Sequence, residues 1–172
     1  QANLVSSGQI VSSEDLLIAL EAMSVLSDNL QQGNLNSLAG RNLSLAIQSQ
    51  LSLDGIARAA NTINVTAGEL LVATRSGNGG LDTNGDISVQ VRGNMTSLAG
   101  SFYRTTGGVR LDVGGNIDSE AKFTVGQDLT VTAGGSITNR DSVIAADGNI
   151  DFSGTSIANE NTQTTANDVT FT

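Results

Sequence analysis

The stretch that decides the fold is Gln127-Asp-Leu-Thr-Val-Thr-Ala-Gly-Gly-Ser-Ile-Thr-Asn139. It contains an alternating strand, a Gly-Gly corner, a second apolar anchor at Ile137 and a polar turn. Alternate residues of a strand point to opposite faces, so Leu129 and Val131 point inward and the threonines beside them point outward. Glycine permits the backbone angles of a tight corner. The stretch therefore predicts a short strand that turns sharply into a second one.

The same pattern recurs along most of the chain. Strands equivalent to Leu129-Thr-Val131 begin at Leu43-Ser-Leu45, Ile63-Asn-Val65, Ile87-Ser-Val89, Val109-Arg-Leu111, Ile150-Asp-Phe152 and Val169-Thr-Phe171. The steps between their first residues are 20, 24, 22, 20, 21 and 19, and the second-strand anchors Ile117, Ile137 and Ile157 are each 20 residues apart. A period of about twenty residues without a helix is typical of a strand solenoid. We therefore predict an all-β parallel β-helix with coils of about 20 residues and three short sheets.

The composition fits a narrow core. The chain has 172 residues, of which 38% are hydrophobic but only 3% are aromatic, and it has 20 Gly and no Pro. Few large side chains are available to fill a globular interior. Stacked Leu, Ile and Val side chains, with glycine at the corners, suit this composition.

Charge and residue content exclude several functional classes. Eight Lys and Arg stand against 17 Asp and Glu, which gives a net charge of −9. An acidic chain is repelled by phosphate backbones and anionic lipids, so we expect no nucleic acid partner. No apolar run is long enough to span a bilayer, and we expect no membrane insertion.

Without Cys or His, disulfides, thiolate zinc sites and His-based catalytic triads are ruled out. We predict no cofactor.

The repeat divides the chain into two parts. Residues 42–172 are predicted to form one continuous domain of regular β-helix coils, and residues 1–41 irregular coils or a cap, with an extruded loop at 28–38. The chain begins without the charged and apolar regions of a signal peptide. We interpret it as an internal piece of a longer protein.

The segment 14–26 fits two structures. As a strand, it directs Leu16, Ile18 and Leu20 inward. As a capping helix, it has Leu16, Leu20 and Met23 at the spacing i, i+4, i+7. The sequence leaves both open.

Several stretches resemble the repeats of the filamentous haemagglutinin family, whose members are large exoproteins that Gram-negative bacteria secrete by the two-partner route, including contact-dependent growth inhibition exoproteins. The similar stretches are Ala39-Gly-Arg-Asn-Leu-Ser-Leu45, Gly126-Gln-Asp-Leu-Thr-Val131, Gly134-Gly-Ser-Ile-Thr-Asn139 and Asp147-Gly-Asn-Ile-Asp-Phe152. The resemblance covers residues 39–172. It implies a right-handed β-helix in a rod-like shaft on the cell surface, an outer-membrane transporter as partner of the parent protein, and adhesion or toxin delivery as functions of the whole exoprotein.

One acidic stretch is a candidate metal site. Asp82, Asn84 and Asp86 alternate as they do in loops that bind hard cations. In an EF-hand loop that begins at Asp82, the twelfth position, which needs a bidentate Glu, is occupied by Gly93. The stretch also does not recur along the chain, as a repeated calcium-binding motif would. A polar turn between strands explains the same residues.

A second candidate is a contact patch at Phe102, Tyr103 and Arg104, which we expect in a loop at 98–107. Tyr and Arg are common in binding hot spots. The patch would contact a host-cell or target-cell receptor, or a glycan, with help from the loops at 28–38 and 75–81. In the alternative interpretation Phe102 fills a gap in the core and Tyr103 lies flat.

Three functions are therefore considered. The first is a rigid shaft segment of a secreted surface exoprotein, and the second is an adhesive module that binds a receptor or glycan. The third is a polysaccharide-processing enzyme that uses paired carboxylates. The acidic residues are scattered among turns, so we expect no enzyme. The localisation expected from the resemblance is secreted or on the surface of a Gram-negative bacterium.

Overall fold

The computed structural model describes residues 42–53, 55–72 and 79–172 in full, and only the backbone of residues 3–6, 16–20 and 22–25. These residues form a right-handed parallel β-helix in which every strand pairing is parallel. The predicted fold class is confirmed. The loop expected at 28–38 and residues 75–78 of the loop expected at 75–81 lie outside the described residues, while Gly79 to Leu81 belong to a strand.

Three faces are built from strands of successive coils. The first face contains β2 (Leu16–Leu20), β4 (Asn42–Leu53), β6 (Thr62–Val72), β8 (Ile87–Val91), β11 (Val109–Val113), β14 (Leu129–Ala133), β17 (Ile150–Ser153) and β20 (Val169–Phe171). The second face contains β1 (Asn3–Ser6), β3 (Ala22–Val25), the ends of β4 and β6, β9 (Met95–Ser97), β12 (Ile117–Ser119), β15 (Ser136–Arg140) and β18 (Ser156–Glu160). The third face contains β5 (Ile56–Ala59), β7 (Gly79–Thr83), β10 (Ser101–Thr105), β13 (Lys122–Val125), β16 (Val143–Ala146) and β19 (Gln163–Thr165).

The first two faces are one hydrogen-bonded sheet. The long strands β4 and β6 pass from the first face to the second, so that β6 pairs with β8 through residues 63–67 and with β9 through residues 70–72. Together these faces form a sheet of 14 strands, and the third face is a separate sheet of six.

The register follows the repeat in the sequence. The first-face column runs through Leu43, Ile63, Ile87, Val109, Leu129, Ile150 and Val169, each paired with the next. Ile117, Ile137 and Ile157 form the second-face column. Except near the last coil, these side chains are buried and form one continuous core. Within the ambiguous segment 14–26, the described residues 16–20 and 22–25 are strands, and β2 pairs with β4 from Leu16↔Leu43 to Leu20↔Ile47.

Polar side chains tie the corners of neighbouring coils together. The backbone N–H of Gly108 donates to Oδ1 of Asp86 at 2.9 Å, and that of Asn149 donates to Oδ1 of Asp128 at 2.8 Å. At the next corner, Oδ1 of Asn116 accepts from the backbone N–H of Ser136 at 2.9 Å. These bonds satisfy corner amides that have no strand partner, and they explain why Asp or Asn so often precedes the first inward residue of a strand.

The packing of the second-face column can be tested with Ile137→Asp. Ile137 is 1% exposed and lies between Ile117 and Ile157. The substitution removes an apolar side chain and buries an unpaired carboxylate, so we expect the free energy of unfolding to fall by about 4 kcal/mol or more. Thermal unfolding followed by circular dichroism measures the change.

The matched control is Ser153→Asp, which adds the same charge to an exposed position of the next coil. We expect its melting temperature to stay close to that of the wild type. Cooperative melting of Ile137→Asp at the wild-type temperature would contradict the register described above.

Candidate functional site

The third face carries an unusual set of outward side chains. The strand register aligns them in two columns, the first containing Ile56, Gly80, Phe102, Lys122 and Val143, and the second Arg58, Asp82, Arg104, Thr124 and Ala145. We define the third-face patch as Ile56, Arg58, Asp82, Phe102, Arg104, Lys122 and Val143. Three of the six Lys and Arg residues in the fully described ranges belong to this patch.

Two arginines of the patch share one carboxylate. Nε of Arg58 donates to Oδ2 of Asp82 at 2.8 Å. From the other side, Arg104 donates through Nε to Oδ1 at 3.0 Å and through its terminal nitrogen to Oδ2 at 2.6 Å. We call these ion pairs the Arg58–Asp82–Arg104 ladder. Its three residues belong to three successive coils, so the ladder links β5, β7 and β10 across the outer surface.

The electrostatics of Asp82 follow from this geometry. Burial by itself would raise the pKa of the carboxyl, but the hydrogen bonds and positive charge of Arg104, and then those of Arg58, outweigh it. The pKa of Asp82 therefore lies below its usual value of 3.8, and the carboxylate is ionised at neutral pH. With two cations on one anion, the ladder has an excess of positive charge.

Phe102 and Lys122 complete the cationic part of the patch. Cζ of Arg104 lies 5.5 Å from the centre of the half-buried Phe102 ring, which is a cation–π geometry. Lys122 is directly paired with Phe102 in the next coil and is exposed. Within the described ranges, no carboxylate lies within 4.0 Å of the Lys122 amine.

A groove of about 870 Å³ runs over this surface. Its lining includes Ile56, Phe102, Arg104, Lys122 and Val143, with Glu120 and Asp141 also contributing. Gly80 lies between Ile56 and Phe102 in the same column and is buried, and the Phe102 backbone leaves no room for a Cβ there. The groove thus combines apolar, cationic and anionic groups.

Tyr103 is not a surface residue, so its prediction as part of the contact patch was wrong. Residues 101–105 form β10 instead of a loop, and alternation along the strand directs Phe102 and Arg104 outward and Tyr103 inward. Tyr103 is fully buried, stacks on Phe123 with 4.7 Å between ring centres, and shares a hydrogen bond of 2.8 Å with the Ser97 hydroxyl. Burial raises its pKa above the usual range. The alternative, with Phe102 filling a gap in the core and Tyr103 lying flat, was wrong about Phe102, whose half-buried side chain points outward.

The three candidate cation ligands Asp82, Asn84 and Asp86 have different roles in the structure. Asp82 is part of β7 and binds the two arginines, whereas Asp86 accepts the Gly108 amide at a corner. Asn84 is exposed, and its carbonyl oxygen accepts a hydrogen bond from the Thr106 hydroxyl. In the described part of the chain, no group of three or more His, Cys, Asp or Glu side chains is placed to hold a metal ion.

Other carboxylates are distributed over different parts of the rod. Asp112 pairs with Arg110 on the first face at 3.3 Å, and Asp118 pairs with Arg140 on the second face at 2.5 Å. Asp151 is exposed on the first face, two coils from Asp112.

Among the described residues, no helix is long and apolar enough to cross a bilayer.

Comparisons of this chain with protein-family models, curated proteins and solved structures find no match. The resemblance to filamentous haemagglutinin repeats therefore remains an expectation from the sequence. The function is therefore inferred from the geometry of the rod and of its third face.

The sequence contains a signal for the Arg58–Asp82–Arg104 ladder that pattern matching on single residues misses. The first-face column advances by 24 residues from 63 to 87 and by 22 from 87 to 109. The same two steps lead from Arg58 to Asp82 and from Asp82 to Arg104. Applying the repeat to charged residues as well as apolar ones places all three in one column.

The contribution of the ladder to stability can be tested with Asp82→Asn. The change leaves two neighbouring arginines without their carboxylate, so we expect the free energy of unfolding at pH 7 to fall by about 1–2 kcal/mol. Since the pKa of Asp82 is depressed in the folded state, its stabilising effect is present above the unfolded pKa of about 4 and is lost as pH falls through the folded pKa. Denaturant titrations from pH 7 to pH 2 measure both effects.

Asp112→Asn is the matched control, because Asp112 pairs with one arginine and both side chains are exposed. We expect it to change stability by less than about 0.5 kcal/mol. An Asp82→Asn effect that is no larger than the control, or that grows below pH 4, would refute the ladder as a stabilising element.

Proposed function

We propose that this chain is a rigid shaft segment of a large secreted bacterial surface exoprotein, of the adhesin or contact-dependent inhibition type. In this role it projects functional regions of the parent protein away from the cell. The observation that carries the proposal is the uninterrupted register of the first face from β4 to β20, with core columns and corner bonds repeated coil after coil.

The physical basis of the shaft is the way in which coils stabilise each other. Each coil hydrogen-bonds to the coil before and the coil after it, and inward side chains touch their equivalents on both sides. Such an array is stabilised by contacts between neighbours and grows along one axis. Its length is therefore set by the number of coils, at about 4.8 Å per coil, which suits a spacer.

A surface location is the first part of the proposal to test. Antibodies against the chain should label intact cells of the source bacterium, and protease added outside the cells should remove the label. Disruption of the outer-membrane transporter that secretes the parent protein should abolish surface labelling while the chain remains detectable in lysates. Labelling confined to permeabilised cells would contradict the proposal.

The shaft role itself predicts that whole coils can be removed. Deletion of residues 129–149 takes out one complete coil of 21 residues and brings Ile150 into the position of Leu129. We expect cooperative unfolding to persist, with a modest loss of stability from the missing coil, because the column next to Val109 is still filled by an apolar residue. Circular dichroism and calorimetry of the purified chain measure the transition.

The matched control is deletion of residues 129–139, which removes about half a coil and places Arg140 where an inward Leu is needed. We expect this shorter deletion to be far more damaging. If the whole-coil deletion unfolds the protein as severely as the half-coil deletion, the coils are not interchangeable units and the shaft proposal fails.

An adhesive module is the second candidate, and the third-face patch is the observation in its favour. A plain spacer needs only polar outward residues, yet this face combines a half-buried aromatic ring, an exposed Val143 and three cations in an acidic protein. This candidate is compatible with a shaft, since a lateral face can bind a ligand while the rod acts as a spacer.

A further inference from the structure

We propose that the groove across the third-face patch binds an oligosaccharide in which sugars that carry a carboxylate, such as uronic acids, are separated by uncharged sugars. The proposal goes beyond the shaft function and does not depend on it.

The position of the groove determines how a ligand is bound. The strands β7, β10, β13 and β16 are each paired on both sides, so this part of the sheet has no free backbone edge. An extended peptide gains most of its affinity by adding a strand to an open edge, which is not available here. A ligand must therefore be recognised by outward side chains alone.

Those side chains are the types that bind sugars. The Phe102 ring and the exposed Val143 provide apolar contact for the carbon-bound hydrogens of a pyranose ring. Arg104 and Lys122 lie in adjacent coils beside the ring, and both carry the positive charge that binds a carboxylate. Because the coils repeat at about 4.8 Å, which is close to the length of a pyranose unit, successive sugars can meet successive coils.

The anionic residues of the groove restrict the charge of the ligand. Glu120 and Asp141 are part of the lining, and Oδ1 of Asp141 accepts a hydrogen bond from Nδ2 of Asn161 at 3.2 Å. Carboxylates accept hydrogen bonds from sugar hydroxyls, but they repel a chain with an anion on every unit. The groove therefore fits a sparsely charged glycan better than a polysulfated one.

Among the cations, Lys122 is the best candidate for the ligand carboxylate. Nε and one terminal nitrogen of Arg104 already donate hydrogen bonds to Asp82, and so does Nε of Arg58. Lys122 is exposed, and the described residues offer it no carboxylate within 4.0 Å. Its removal therefore tests binding without breaking a structural ion pair.

The test is a calorimetric titration of the purified chain with three hexasaccharides. A hyaluronan hexasaccharide has glucuronate at every second sugar, a chitin hexasaccharide is neutral, and a heparin hexasaccharide is polysulfated. We expect the hyaluronan fragment to bind at least about tenfold more tightly than the chitin fragment, because it can form a charge-assisted hydrogen bond. The heparin fragment should bind no more tightly than the hyaluronan fragment.

Variants then locate the binding. Lys122→Gln should weaken hyaluronan binding about tenfold and leave the weak chitin binding unchanged. Phe102→Thr keeps a residue suited to a strand and should weaken the binding of both the hyaluronan and the chitin fragment. The control Arg110→Gln removes an exposed cation from the first face and should change neither. Circular dichroism of each variant verifies the fold.

Several results would overturn the proposal. They are no hyaluronan binding by the folded chain, equal binding of chitin and hyaluronan, tightest binding of heparin, or tighter binding of an acidic peptide of similar length. Equal losses in Lys122→Gln and Arg110→Gln would also overturn it, since they would indicate a general charge effect. Surface labelling of cells tests the shaft location separately, so the two proposals can fail independently.

Discussion

Parallel backbone pairing between successive coils is the constraint on which the rest of this structure depends. Since Val109 pairs with both Ile87 and Leu129, a residue that points inward in one coil requires inward residues above and below it. A polar residue in such a column would be buried against two apolar neighbours, at a cost of several kcal/mol. The repeat in the sequence is the consequence of this geometry. The same pairing makes each coil dependent on its neighbours, so that stability belongs to the array and not to any single coil.

The corners obey a second constraint, which is the close approach of backbones where the chain turns. A Cβ at Gly134 would collide with the carbonyl oxygen of Gly114 one coil away, so no larger residue fits without movement. The side-chain amide of Asn116 then accepts the amide hydrogen of Ser136. Glycine and Asn or Asp thus have separate roles: glycine permits the approach, and the polar side chain satisfies the amide that is exposed by the turn. Together they set the length of each face.

The sequence predicted the first two faces well and the third face poorly, for a physical reason. First-face strands have two or three inward apolar residues and a characteristic corner before them, so the sequence shows directly which residues point inward. The third-face core column contains Ala57, Leu81, Tyr103, Phe123 and Ile144, which share burial but little chemical similarity. Tyr103 looked like a binding residue because Tyr and Arg are common in binding hot spots. The step of 20 residues to Phe123, however, places both rings in one column. Side-chain pairing such as Arg58 with Asp82 requires that register before it can be predicted at all.

The outward columns of a solenoid are free from the constraint that fixes the inward ones, and function is best sought there. On the first face the outward column changes from Ser88 to Arg110 to Thr130 to Asp151 without any common chemistry, as expected for a surface that only has to remain soluble. On the third face, two arginines converge on one carboxylate, and a lysine without an ion pair among the described residues lies beside an aromatic ring. In a chain with a net charge of −9, three of the six Lys and Arg residues of the fully described ranges lie on this face, and Glu120 and Asp141 line the groove beside them. Packing does not require this arrangement, since the coils are held by their backbones and core columns. The groove is therefore the part of the rod whose residues are best explained by contact with a ligand.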